Sequence, residues 1–271
     1  MNNITPIADI VKHYDALIFD IWGVIYDGGE PFDGAIAFLN QMIASNKKVV
    51  FLSNAPRPSG IAIQRFIDWG VNIDKAHVYT SGDYVREQLL HWSDDAFKTL
   101  GRKFYHLGAE KNEDILDDLD VSQVSDVKEA DFILLSLYMD EDENLNAYDD
   151  LFKQAIDLKL PVVCANPDVT IHYNDKIRHC SGSFAAKYEK LGGVVHYCGK
   201  PNPNIFNLVL NKYLSGVERE KILMIGDTME TDIIGANKVG IDSALVLTGN
   251  GKDVKNACKA EPTWVSYGIS E

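Results

Sequence analysis

Ala16-Leu-Ile-Phe-Asp-Ile-Trp-Gly-Val24 places four apolar or small residues ahead of an acid, with a glycine three positions further on. An uninterrupted apolar run ending at such a turn reads as a strand buried on both faces, the kind that occupies parallel sheets covered by helices. In open α/β sheets ligands bind outside the carboxyl ends of the strands, so the run carries the Asp20 carboxylate to the place where a site forms. Three later stretches have the same form. Lys48-Val-Val-Phe-Leu52 runs into Ser53-Asn54, His196-Tyr-Cys-Gly199 into Lys200-Pro-Asn-Pro203, and Ile222-Leu-Met-Ile225 into Gly226-Asp227, with Asp232 following. Each is weak alone; the four in this order form a constellation.

Outward from the first strand, Tyr26-Asp-Gly-Gly-Glu-Pro31 is turn-forming, and Asp33-Gly34 precedes a helix with Ile36, Leu39, Met42 and Ile43 on one face. That helix leads to the second strand and closes a βαβ unit with a right-handed crossover. A helix over Ser59 to Trp69 ends at Gly70, a C-terminal cap. A short strand at Val78-Tyr-Thr80 and a helix carrying Val85, Leu89 and Leu90 follow. Around Ser93 the pattern changes: Lys103–Leu107, Asp131–Leu137 and Pro161–Cys164 read as strands, separated by acidic helical segments at 110–119 and 145–158. This is a second α/β unit interrupting the first. Asp140-Glu-Asp-Glu143 reads as a solvated loop or helix start, since it lacks the glycine and final glutamate of a calcium loop. The first unit resumes with a helix at 204–213, a helix at 231–239 closed by Gly240, and strands at Ala244–Leu247 and Thr263–Val265.

At 271 residues and 46% hydrophobic content the chain holds a sizeable core in one large or two ordinary domains. Its net charge of −14 opposes nonspecific binding to nucleic acid or an anionic membrane, both of which need a positive face. A small phosphorylated substrate is compatible with that charge, because lysines and a divalent cation reverse the potential within a cleft. The N-terminal residues show no basic segment followed by an apolar run, and no stretch suits a bilayer span, so the expectation is a soluble cytoplasmic protein. Cys164, Cys180, Cys198 and Cys258 show no CxxC pairing and read as reduced thiols.

The four strand-end motifs resemble those of the haloacid dehalogenase-like (HAD) hydrolases: an aspartate nucleophile loop, a Ser/Thr, a Lys and a paired-acid loop. The long insertion between the second and third, with the wording Ser53-Asn-Ala-Pro-Arg-Pro58 and Gly199-Lys-Pro-Asn-Pro203, resembles the branch of p-nitrophenylphosphatases and sugar-phosphate phosphatases. The resemblance implies a doubly wound, Rossmann-like parallel core over 1–96 and 195–271 and an inserted α/β cap over 97–194 that sets specificity. It also implies a magnesium ion held by Asp20, the backbone carbonyl of Trp22, Asp227 and, as ligand or outer support, Asp232. Asn166-Pro-Asp-Val-Thr-Ile-His172 and the Ser181-Gly-Ser-Phe184 turn look like the family's substrate-facing segment, which places His172 against the substrate. Family members often dimerise through the cap; the acidic composition neither supports nor excludes a homodimer here.

A carboxylate that takes a phosphoryl group divides one difficult displacement into two, and the step needs a cation and hydrogen-bond donors around the phosphoryl oxygens. Asp20 is the expected nucleophile, and Ser53, Asn54 and Lys200 the expected phosphate holders, Lys200 also acting catalytically. In HAD phosphomonoesterases the residue two after the nucleophile is a second Asp that protonates the leaving alcohol; here it is Trp22. An indole cannot exchange protons near neutral pH, and losing general acid–base catalysis costs about 10²–10⁴-fold. Three readings stay open on sequence alone: a phosphatase for good leaving groups or with another acid such as Asp27, a hydrolase of some other substrate, and a phospholigand-binding protein.

Overall fold

The computed structural model describes residues 4–140, 144–173, 176–253 and 260–270. The chain opens its main sheet with β1 (Ala16–Phe19), β2 (Lys48–Ser53) and β3 (Ala76–Thr80). It then builds β4 (Lys103–Gly108), β5 (Ser122–Val124), β6 (Phe132–Ser136), β7 (Tyr138–Asp140), β8 (Val162–Cys164), β9 (Thr170–Tyr173), β10 (Lys176–Cys180) and β11 (Val195–Tyr197). It returns for β12 (Ile222–Gly226), β13 (Asp242–Val246) and β14 (Trp264–Ser266). The main sheet is parallel and ordered β14-β13-β12-β1-β2-β3. From β1 the chain winds outward through β2 and β3, and later outward the other way through β12, β13 and β14. The switch point between β1 and β12 therefore opens the crevice in which a ligand of such a sheet sits.

The apolar run of β1 is continuous because both faces are covered. Ala16 and Ile18 join one buried cluster with Val50, Leu52 and Met224, while Leu17 and Phe19 join the opposite one with Phe51 and Ile225. The helix Ala35–Ala44 buries Phe38, Leu39, Met42 and Ile43 against the second face. The helix Ser81–His91 opens on a capping box between Thr80 and Asp83 and buries Val85 and Leu89, whereas Leu90, expected on that face, is exposed.

A second parallel sheet, β11-β8-β6-β4-β5, and a small antiparallel sheet, β7-β10-β9, make up the inserted unit. β11 departs from the expected order. His196 sits in a strand, as its pattern suggests, but that strand pairs with β8 in the second sheet, so the chain leaves that sheet after Tyr197 rather than at 194. The expected turn at Ser181–Phe184 is instead the first turn of the helix Ser181–Lys190. The expected helix at 110–119 is a 3₁₀ segment, Glu110–Leu116. Residues 141–143 of the acidic run and Cys258 lie outside the described residues. Cys164, Cys180 and Cys198 are free and buried. Among the described residues no helix is long and apolar enough to cross a membrane.

Candidate active site

The ends of β1, β2 and β12 and the turn after β11 converge. Asp20 follows β1 with its backbone N–H bonded to Ile225 O at 2.8 Å, which fixes the loop against β12. The Lys200 ammonium, fully buried, lies 2.6 Å from Asp20 Oδ1 and 2.7 Å from Asp232 Oδ1. Asn54 ties these elements together. Its Oδ1 accepts from Lys200 N at 2.8 Å, and its Nδ2 donates to Lys200 O at 3.1 Å and to Asp168 Oδ1 at 2.8 Å. Ser53 is buried beside it, its hydroxyl oxygen accepting from Ala55 N at 3.1 Å.

Asp227 and Asp232 come from the turn after β12. The wide helical turn Met229–Ile233, a form frequent at functional sites, brings Asp232 back so that its Oδ2 accepts from Thr228 N at 3.1 Å. Asp227 Oδ1 accepts from Thr228 Oγ1 at 3.0 Å and its Oδ2 from Asn250 N at 2.7 Å. Two glycines press on this carboxylate. A Cβ added at Gly23 or Gly249 would stand 2.0 or 2.2 Å from Asp227 Oδ2, and both residues have positive φ, +81° and +46°, where a side chain is strained as well. The segment Gly249-Asn-Gly-Lys252, which reads as an ordinary loop in sequence, is thus one wall of the site.

Oxygen atoms of Asp20, Asp227 and Asp232 lie within 4.8 Å of one another. Burial raises the Asp20 pKa to about 7; the Lys200 charge opposes that rise and the Asp232 charge adds to it. Asp227 is also raised, by burial first and then by Asp20 and Asp232. Burial pulls Lys200 down, but Asp20, Asp232 and Asp168 outweigh it and the ammonium is held charged. Three crowded carboxylates facing one ammonium leave negative charge in excess, and an all-oxygen donor set suits a hard divalent cation such as magnesium.

Beside this cluster opens a cleft of about 400 Å³, reached by Ser53 and lined on one side by Trp22, Tyr26, Trp69 and Tyr173. Trp22 donates its indole N–H to the His172 carbonyl at 2.9 Å, across the seam between the main sheet's loops and the inserted unit. Its ring stacks on Tyr173 at 5.8 Å between centroids and meets Tyr26 edge-on at 4.9 Å. Tyr26 in turn meets Trp69 edge-on at 5.0 Å.

His172, expected against the substrate, is not among the cleft-lining residues. Side chains alternate along β9, so Ile171 and Tyr173 line the cleft and His172 does not; its backbone carbonyl is what holds Trp22. Asp27 is not among the cleft-lining residues, and its carboxylate lies 3.9 Å from Lys252. The cleft's carboxylate among the described residues is Asp168, raised by burial and lowered in part by Lys200 and Asn54. Asp168, Asn250 and Thr228 escape a reading of the sequence. Asp168 stands inside the Asn166–His172 stretch and was within reach of such a reading; Asn250 and Thr228 carry no signal of their own.

A sheet wound both ways from β1, with carboxylates at the two strand ends flanking the switch point and a buried lysine joining them, defines a class of hydrolase. The sequence profile described as haloacid dehalogenase-like hydrolase matches residues 17–122, and a second, described as HAD-hydrolase-like, matches residues 197–271. The chain belongs to the haloacid dehalogenase-like hydrolases, in their cap-bearing branch. It is similar to the ribonucleotide monophosphatase NagD of Escherichia coli, at 27% identity over 94% of this chain and 96% of that one. It is also similar to an acid sugar phosphatase of Staphylococcus epidermidis, at 24% identity over 88% of each. Among solved structures it resembles a haloacid dehalogenase-like hydrolase from Brucella suis, with a TM-score of 0.86 and 29% identity covering 98% of this chain and 99% of that one. A 4-nitrophenylphosphatase from Thermotoga maritima gives a TM-score of 0.73 and 25% identity, covering 97% of both chains.

Proposed function

We propose that this chain is a magnesium-dependent phosphatase that hydrolyses a small phosphorylated substrate through a phosphoryl-aspartate at Asp20. The observation that carries the reading is the Lys200 ammonium set 2.6 and 2.7 Å from Asp20 and Asp232. The buried ammonium aims the Asp20 carboxylate and opposes the rise that burial imposes on its pKa, and a divalent cation beside it would complete the ionisation that a nucleophile requires. In this reading an Asp20 oxygen attacks phosphorus, the ester P–O bond breaks, and water then displaces phosphate from Asp20. Ser53 and Lys200 hold the phosphoryl oxygens, with Asn54 beside them fixing the Lys200 backbone. The magnesium ligands are Asp20, the Trp22 carbonyl, Asp227 and Asp232; when bound, magnesium supplies the charge that lets a phosphate dianion approach a carboxylate. The aromatic cleft takes the remainder of the substrate.

The test is release of inorganic phosphate from a panel of phosphate esters with and without magnesium, using Asp20→Asn as the control. The nearly isosteric amide keeps the fold and removes the nucleophile. Release should require both magnesium and Asp20; equal release by the variant, once contaminating phosphatase is excluded, places the chemistry elsewhere.

A further inference from the structure

The nucleophile loop carries the Trp22 indole where cleavage of a phosphate ester needs an acid, and the cleft offers one replacement. Among the described residues no histidine, glutamate or lysine lines the cleft; its ionisable groups are phenols, guanidiniums, the Cys180 thiol and the Asp168 carboxyl. Phenols and guanidiniums hold their protons near neutral pH, and burial pushes the Cys180 thiol well above that range. That leaves Asp168.

The residue is also built into place. It stands on the loop between β8 and β9, its backbone N–H bonded to Asn166 Oδ1 at 3.0 Å and its carbonyl accepting from Gly182 N at 3.0 Å. Asn54 Nδ2 donates to Asp168 Oδ1 at 2.8 Å and to Lys200 O at 3.1 Å, so one amide ties this carboxyl of the inserted unit to the turn that carries the lysine. Among the described residues no hydrogen bond reaches Oδ2, and the half-buried residue lines the cleft. Burial raises its pKa, Lys200 and Asn54 oppose that rise, and Asp232 adds to it. One oxygen is therefore anchored and the other open, in a carboxyl biased toward its protonated form.

The direction of departure is a further, independent argument. In an in-line displacement the leaving oxygen lies on the side of phosphorus away from the attacking one. Asp20 attacks from the strand ends of the main sheet, so the leaving oxygen points toward the inserted unit, the side from which Asp168 comes.

We infer that Asp168 is the catalytic acid and base of this site, acting from the inserted unit in the role that the indole of Trp22 cannot fill. The inference rests on the phosphatase reading above. As the Asp20 oxygen bonds to phosphorus, the ester P–O bond breaks and the Asp168 proton passes to the departing alkoxide, which leaves as an alcohol. The ionised Asp168 then takes a proton from water, whose oxygen bonds to phosphorus as the bond from phosphorus to Asp20 breaks. Asp168 ends protonated and Asp20 ionised, as both began.

The experiment measures kcat/KM, with magnesium, for esters running from p-nitrophenyl phosphate, whose leaving group needs little protonation, to simple alkyl phosphates. Wild type is compared with Asp168→Asn, Asp168→Glu and His106→Gln. His106 is the rival donor, since its Nε2 shares a hydrogen bond of 2.7 Å with Ser136 Oγ and Ser136 lines the cleft. Wild-type kcat/KM should depend weakly on the leaving group. Asp168→Asn, whose side-chain oxygen still accepts from Asn54, should lose about 10²–10⁴-fold on alkyl esters and little on p-nitrophenyl phosphate. With that ester it should release a burst of nitrophenol of about one equivalent per site, because water attack on the phosphoryl-aspartate has lost its base. Asp168→Glu should recover part of the alkyl turnover, and His106→Gln should change neither ester class. A uniform loss across the series in a folded Asp168→Asn overturns the assignment, by showing that the residue only positions Asn54 and Lys200. If Asp168→Asn does not fold, Asp168→Glu decides: an alkyl-selective loss supports the assignment and a uniform one overturns it. No loss, a steep wild-type dependence, or an alkyl-selective loss in His106→Gln instead overturns it as well. Failure of wild type to hydrolyse any ester with magnesium present overturns the phosphatase reading itself.

Discussion

Asp20 and Lys200 depend on each other in a way that neither side chain's ordinary chemistry suggests. In the folded chain without metal the Asp20 pKa is raised to about 7 by burial, against an ordinary value near 4 in the unfolded chain. The native state then holds more protons than the unfolded state between about pH 4 and 7, so this group's contribution to stability is present at the acid end and is lost as pH rises through that window. Asn does not titrate. In EDTA, the melting temperature of Asp20→Asn should therefore rise relative to wild type as pH goes from about 4 to about 7, and excess magnesium should narrow the difference by stabilising the ionised wild type. A difference that stays flat across this range would mean that Asp20 ionises normally. Lys200→Ala removes the ammonium shared by Asp20 and Asp232. Leaving buried charge uncompensated costs about 3–5 kcal/mol, so chemical denaturation in EDTA should show a loss of that order, partly restored by magnesium.

Loops rather than strands finish the site, and the segment after β13 shows how. Asn250 N–H caps Asp227, Thr248 Oγ1 donates to Gly23 O, and Asn250 Nδ2 reaches Thr228 Oγ1 at 2.9 Å. The loop thereby locks the Asp20 turn to the Asp227 turn. Gly249→Ala would drive a methyl group into Asp227 Oδ2 at a positive φ, so the carboxylate or the loop must move. Magnesium affinity, followed as the metal-dependent rise in melting temperature, should fall at least tenfold, and the metal-free melting temperature should fall as well, because the methyl would also stand 2.5 Å from the Gly23 Cα. An unchanged magnesium midpoint would remove this loop from the metal site. On the opposite side, the Trp22 indole N–H to His172 O makes a residue of the nucleophile loop a tie to the inserted unit, a role for which an aspartate at that position would be too short and has no N–H to give.

The two parallel sheets share a core. The cluster holding Ala16, Ile18 and Met224 of the main sheet continues without interruption through Phe104, Phe132 and Leu134 of the second. Burying one unit therefore requires the other, and the molecule should unfold as one. Calorimetry should give a single endotherm with calorimetric and van't Hoff enthalpies in agreement, and Phe132→Ala should lower the whole transition rather than split it. Two resolved transitions would show the sheets to be energetically separate.

What the sequence determined by itself was whatever local pattern specifies. Strands buried on both faces, such as β1, β2 and β12, announce themselves as apolar runs, and Asp20, Ser53 and Asp227 stand at their ends or one residue beyond. Helix faces are legible for the same reason, since periodicity is local. The strands that escaped, β5, β7, β9 and β10, are short, and β5, β9 and β10 are largely exposed or half-buried, so their composition carries little hydrophobic signal. Only the tertiary structure could decide that β11 joins the second sheet, that Tyr173 rather than His172 faces the cleft, and that Asn250 caps Asp227. Each of these depends on pairing or register between residues far apart in the chain. The indole of Trp22 meets a carbonyl 150 positions away, and a contact set by the folding of the whole molecule leaves no mark on the residues beside it.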